Sequence, residues 1–166
     1  MITYQQLCDQ QQKYNEELTN RRHKLRHLIG EYCQAISDDL GLTGKTYRSV
    51  INDESTTSPY IKLLELESGE NQHIHIMELP VSFDNQNNPQ ALAGIAITLE
   101  KSANTYPKQN LFLRTEFKLE KNQLSICFID FEEASVINVD LNTDNKFNYA
   151  VECYKQAVMR TFSLKS

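Results

Sequence analysis

No run of apolar residues in this chain approaches the roughly 20 that a membrane-spanning helix requires. The opening stretch from Met1 to Gln12 is polar and lacks the basic-then-apolar order of a secretory signal. Glycine (5) and proline (4) are too sparse for a collagen-like or low-complexity chain, and 4 cysteines are too few for a disulfide scaffold. The cysteines, Cys8, Cys33, Cys127 and Cys153, form no CxxC pair and no zinc-type spacing. Mostly apolar neighbours, as in Ser-Ile-Cys-Phe-Ile, suit reduced core thiols in a cytoplasmic protein.

Catalytic signatures are missing as well. There is no Gly-x-Ser-x-Gly elbow, no zincin motif and no cysteine flanked by activating residues. Gly-Leu-Thr-Gly-Lys-Thr at 41–46 looks like the end of a phosphate-binding loop. That loop needs a glycine where Asp39 stands, and it runs from strand to helix, whereas this segment follows a helix. It reads instead as a helix-stop turn. Two histidine pairs have chelating spacing, His23 with His27 on a helix and His73 with His75 on a strand. The helical pair opposes the apolar stripe, the strand pair opposes Ile74 and Ile76, and neither has an obvious third ligand, so no metal or other cofactor is assigned. Asp130, Glu132 and Glu133 follow an apolar run and could supply an acid/base pair. With no complementary base nearby, solvated strand-end carboxylates are the simpler reading.

What the chain does contain is 166 residues that are 40% hydrophobic and 23% charged, with a mean hydropathy of -0.53. These values suit a soluble globular protein, and the length supports a single domain over 1–166 with a real core. Net charge is -5 and unevenly spread. From Asn122 to Asn145 there is no lysine or arginine, while Asp130, Glu132, Glu133, Asp140 and Asp144 fall there. Arg21, Arg22, Lys24 and Arg26 form an opposite cluster, interleaved with His23 and His27. An acidic chain is repelled by polyphosphate, and no strand alternates aromatic with basic residues, so nucleic-acid binding is disfavoured.

The spacing predicts one long helix over 3–40. With Leu25 at the origin and 100° per residue, Leu7, Tyr14, Leu18, Leu28, Ile29, Tyr32, Ile36 and Leu40 lie within about 60° of it. The stripe is dense after Leu25 and thin before it, with Gln11, Arg21 and Arg22 near its line. Such a helix spans roughly 55 Å, against a diameter of roughly 40 Å for a compact chain of this length. Unless it kinks near Thr19–Asn20, its front end overhangs the body and presents Tyr4, Leu7, Tyr14 and Leu18 to a partner. A homodimer is the simplest way to cover that surface.

Strands follow over 45–141. Candidates are Tyr47–Ile51, Tyr60–Glu67, His73–Phe83 with a parity switch near Pro80, Ala91–Leu99, Leu111–Glu120, Leu124–Phe131 and an edge strand Val136–Leu141. In Leu111–Glu120 apolar and charged residues alternate, the mark of an antiparallel sheet with one wet face. A second helix runs from about Asn145 to Phe162, with Asp144 or Thr143 available to cap it.

The expected fold is therefore α+β: a five- or six-stranded antiparallel meander, packed on one face by the long N-terminal helix and by the C-terminal helix. The expected function is protein binding without catalysis, in the manner of a small inhibitor, immunity or chaperone-like factor. Its contact residues would be Tyr4, Leu7, Tyr14, Leu18, Arg21, Arg22, Asp130, Glu132 and Glu133. The alternative is a small enzyme or a ligand- or metal-binding domain with a pocket between sheet and helices, using His73, His75, Glu78 and Asp130.

Overall fold

The computed structural model describes residues 1–51, 54–101, 108–131 and 135–164. Helix α1, Tyr4–Asp39, is unbroken, including the stretch around Thr19–Asn20. It opens with a reciprocal cap: Thr3 Oγ1 accepts from the Gln6 amide, and Gln6 Oε1 accepts from the Thr3 amide. It closes on glycine, as the sequence predicts. Gly41 adopts φ 69°, the Leu42 amide donates to the Ser37 carbonyl, and the Gly41 amide donates to the Asp38 carbonyl. These two bonds satisfy carbonyls that the helix end would leave bare, and the turn needs a residue without a Cβ.

Among the described residues nine strands follow: β1 (Thr46–Ile51), β2 (Glu54–Pro59), β3 (Ile61–Glu65), β4 (Gln72–His73), β5 (Ser82–Phe83), β6 (Pro89–Leu99), β7 (Gln109–Glu120), β8 (Gln123–Phe128) and β9 (Val136–Asp140). Helix α2, Asn148–Thr161, ends the fold. The main sheet is antiparallel, in the order β4-β3-β6-β7-β8-β9, with β5 beside β6. Strands β6 to β9 form the expected meander. The β7–β8 turn falls at Lys121–Asn122, where Lys121 takes φ 55°.

The register stacks apolar rows under the helices. Ala91, Phe117, Ile126 and Ile137 lie across four neighbouring strands, and Leu119, Leu124 and Val139 form the next row. All are buried, together with Leu25, Leu28, Ile29, Tyr32 and Ile36 of α1 and Ala150, Val151, Tyr154, Ala157 and Val158 of α2. The dense half of the stripe thus lies on the sheet, as its periodicity requires. Two tyrosines bind the layers. Tyr32 donates its hydroxyl to the Ala150 carbonyl at 2.7 Å, and Tyr154 donates to the Ile95 carbonyl at 3.2 Å.

Four details differ from the sequence reading. The sheet has seven strands, two of them only two residues long, and β1 pairs with β2 in a separate hairpin. Polar Glu54–Pro59 gives no apolar alternation, so β2 is silent in the sequence. The stretch 73–83 is mostly not strand: a short 3₁₀ turn, Ile76–Glu78, breaks it where the parity switches. Helix α2 starts at Asn148 with no side-chain cap, because Asn145 takes φ 54° and Thr143 Oγ1 donates instead to the Asp140 carbonyl. Finally, the face away from the helices is not wet throughout. Tyr47 of β1 lies over it, accepting from Thr98 at 2.9 Å and from Lys62 at 2.6 Å, and Gly94, Ala96 and Thr98 are buried there.

Candidate functional site

Helix α1 is about 54 Å long at 1.5 Å per residue. Its buried residues begin at Leu25. Ahead of that, among the described residues, strand β5 and the turn 84–88 that follows it meet the helix. Tyr14 donates its hydroxyl to Asn87 Oδ1 at 3.3 Å, and Arg21 Nη1 donates to the Asn87 carbonyl at 2.9 Å. Arg22 lies over the Phe83 ring at 5.5 Å, and Arg26 Nε donates to the Leu79 carbonyl at 2.9 Å. Desolvation there, with the nearby Arg22 charge, lowers the Arg26 pKa from its ordinary value.

The supporting turn is itself well braced. Asp84 Oδ1 accepts from the Gln86 and Asn88 amides at 2.8 and 2.9 Å, and Asp84 Oδ2 takes an ion pair from Lys118 at 2.8 Å. Lys118 and the turn amides hold the Asp84 carboxyl well below the usual carboxylate range. Asn87 sits at the turn apex with φ 61°, a conformation asparagine tolerates better than most residues.

Beyond Tyr14 the helix leaves the body. Tyr4 is 82% exposed and Leu7 59%, while Tyr14, though it reaches Asn87, is still 48% exposed. Leu18 is half-buried. These four residues continue the line of the core stripe at spacings of three, seven and four residues, so the arm presents one apolar-edged seam. Residues 4–24 do not fold back on their own chain along their whole length. The structure therefore keeps Tyr4, Leu7, Tyr14 and Leu18 together, whereas Arg21 and Arg22 are largely committed to the chain's own turn and ring.

The acidic group is placed differently. Asp130 is held by Arg114, accepting from its backbone amide at 3.0 Å and from its Nε at 2.6 Å. That geometry makes it a tie between the end of β8 and strand β7. Glu132 and Glu133 lie outside the described residues. The histidines are also separated in role. His73 is on β4, where desolvation and then the Lys62 charge lower its pKa, while His75 Nδ1 caps the 3₁₀ turn by accepting from the Met77 amide. His27 pairs with Glu31 at 2.7 Å. Among the described residues no three His, Cys, Asp or Glu side chains group as metal ligands. The Cys33 thiol is pushed up to about 12 by burial, which keeps it protonated and unreactive at neutral pH.

One hollow, of about 420 Å³, lies on the sheet face away from the helices, between Leu92, Glu116, Lys118, Cys127 and Val136. The sequence had no means of placing it, since its lining comes from strands that lie side by side only in the folded sheet. No described helix is long and apolar enough to cross a membrane. The two-layer α+β architecture is the class that the fold defines. No family model, no curated protein and no solved structure matches the chain.

Proposed function

We propose that this chain is a cytoplasmic protein-binding factor without catalytic residues of its own, assembled as a homodimer through the projecting part of α1. The observation that carries the reading is the exposure of Tyr4, Leu7 and Tyr14 on an unbroken helix whose later turns are buried. An exposed apolar seam of this kind is stabilised by a second helix laid along it. A second copy is the simplest occupant, because two-fold pairing of the arms covers the same seam on both chains. The dimer leaves the lysine- and arginine-free stretch 122–145 to meet a basic partner protein.

The test is sedimentation of the wild type and of a Leu7→Glu, Leu18→Glu double variant at rising salt. The expected result is a wild-type dimer that persists as salt rises and a monomeric variant with unchanged helix content. A wild type that stays monomeric at every salt and protein concentration overturns the reading.

A further inference from the structure

Strand β9 is the last in the main sheet, and among the described residues no strand pairs with its outer side. Its hydrogen-bond phase is fixed at the start of β8. Glu120 and Gln123 close the two-residue β7–β8 turn, so Gln123 bonds toward β7 and Leu124 toward β9. The Leu141 amide donates to the Asn122 carbonyl at 3.0 Å, which sets the same alternation. Ile137 and Val139 therefore spend their backbone groups on β8, and Val136, Asn138 and Asp140 turn theirs outward. The usual guards of an exposed edge are missing: Val-Ile-Asn-Val-Asp holds no proline and no lysine, and its register with β8 is free of bulges.

A groove runs along this edge between β9 and α2, with a volume of about 260 Å³. Phe128, Ile137 and Ala157 line it deep down, and Phe131, Tyr149 and Cys153 form its walls. Tyr149 is 72% exposed and Val136 58%. At one end Arg160 is stacked over the Phe131 ring at 4.7 Å. Further along the same edge, exposed Asp140 ends β9 in the stretch that lacks lysine and arginine.

We propose that β9 takes an extended, basic segment of a partner polypeptide as an added strand. The outward amides and carbonyls of Val136, Asn138 and Asp140 supply the backbone ladder, and alternate side chains of the segment divide between two surroundings. Apolar ones enter the groove beside Tyr149 and Phe131. Basic ones lie on the opposite face beside Asn138 and Asp140. A second copy fits this edge less well, because two-fold pairing of β9 brings together two stretches that each carry only acidic charge. The proposal deepens the protein-binding reading above but uses a different surface from the arm.

The test is fluorescence polarisation with a short labelled peptide alternating lysine and valine, blocked at both ends, against its glutamate–valine counterpart. Asn138→Pro removes an outward amide that bonds nothing in β8, so the fold tolerates it while strand addition is blocked. Val136→Lys places a guard on the same edge. Expected are saturable binding of the lysine peptide, at least about tenfold weaker binding by both variants with unchanged unfolding midpoints, and no binding of the glutamate peptide. Equal binding by wild type and Asn138→Pro overturns the proposal, as does equal binding of both peptides or none of the lysine peptide. A wild-type dimer that Asn138→Pro turns into a monomer overturns it in favour of a second copy on the edge. The Leu7→Glu, Leu18→Glu variant should bind the peptide like wild type, so the arm and the edge fail independently.

Discussion

Arg21 donates to the backbone carbonyl of Asn87 at 2.9 Å, and this bond marks where helix α1 parts from the body. On one side of it the helix is tied to a braced turn. On the other, among the described residues, the Tyr14 hydroxyl makes its last hydrogen bond to the body.

Arg21→Ala should loosen the arm without unfolding the protein. Amide hydrogen exchange read along α1 is expected to quicken from Tyr4 to about Asn20 and to stay slow from Leu25 onward. Uniformly unchanged exchange would show that the bond carries no anchoring role.

Tyr32→Phe and Tyr154→Phe each delete one buried hydroxyl that joins separate layers. Each is expected to cost about 1 kcal/mol of unfolding free energy, the usual net worth of such a bond. Denaturant midpoints check this. The two should combine non-additively, because both side chains pack into one core cluster.

The same tyrosines set an alkaline limit. Burial raises the pKa of both far above that of a free phenol. The unfolded chain then releases these protons first, so the contribution of the two tyrosines is constant below about pH 10 and is lost as pH rises above it. The double Tyr→Phe variant is expected to flatten that fall, as read by unfolding midpoints from neutral to strongly alkaline pH.

Gly41→Ala tests the close of α1. A methyl group at φ 69° is strained even though nothing crowds the position. A loss of about 1 kcal/mol is expected, with fraying confined to the last turn of the helix by exchange. Gly30→Ala, inside the helix with only Ile76 Cγ1 at 3.7 Å, should instead be neutral or mildly stabilising.

Much of the architecture was legible because it rests on period. The 3.6-residue stripe from Leu25 to Ile36 and the two-residue alternation from Leu111 to Leu119 each name the face that meets the core. The hairpin turn at Lys121–Asn122 and the helix stop at Gly41 were legible from turn chemistry. Strand β2 was not, since neither face of Glu54–Pro59 is apolar. The start of α2 was not either, because a left-handed Asn145 competes with capping and leaves no distinct mark in sequence.

The candidate surfaces divide in the same way. The arm could be anticipated from length alone, since a long helix outruns a compact body. The roles of Arg21, Arg22 and Asp130 could not, because each depends on which loop or strand arrives opposite: Asn87, Phe83 and Arg114 are distant in the chain. The open edge of β9 was equally hidden. Sequence sets the local period, and so decides which side of each segment is apolar. Strand order and loop placement arise from contacts between remote segments, and only these decide which backbone groups are left to face outward and which charges are already paired.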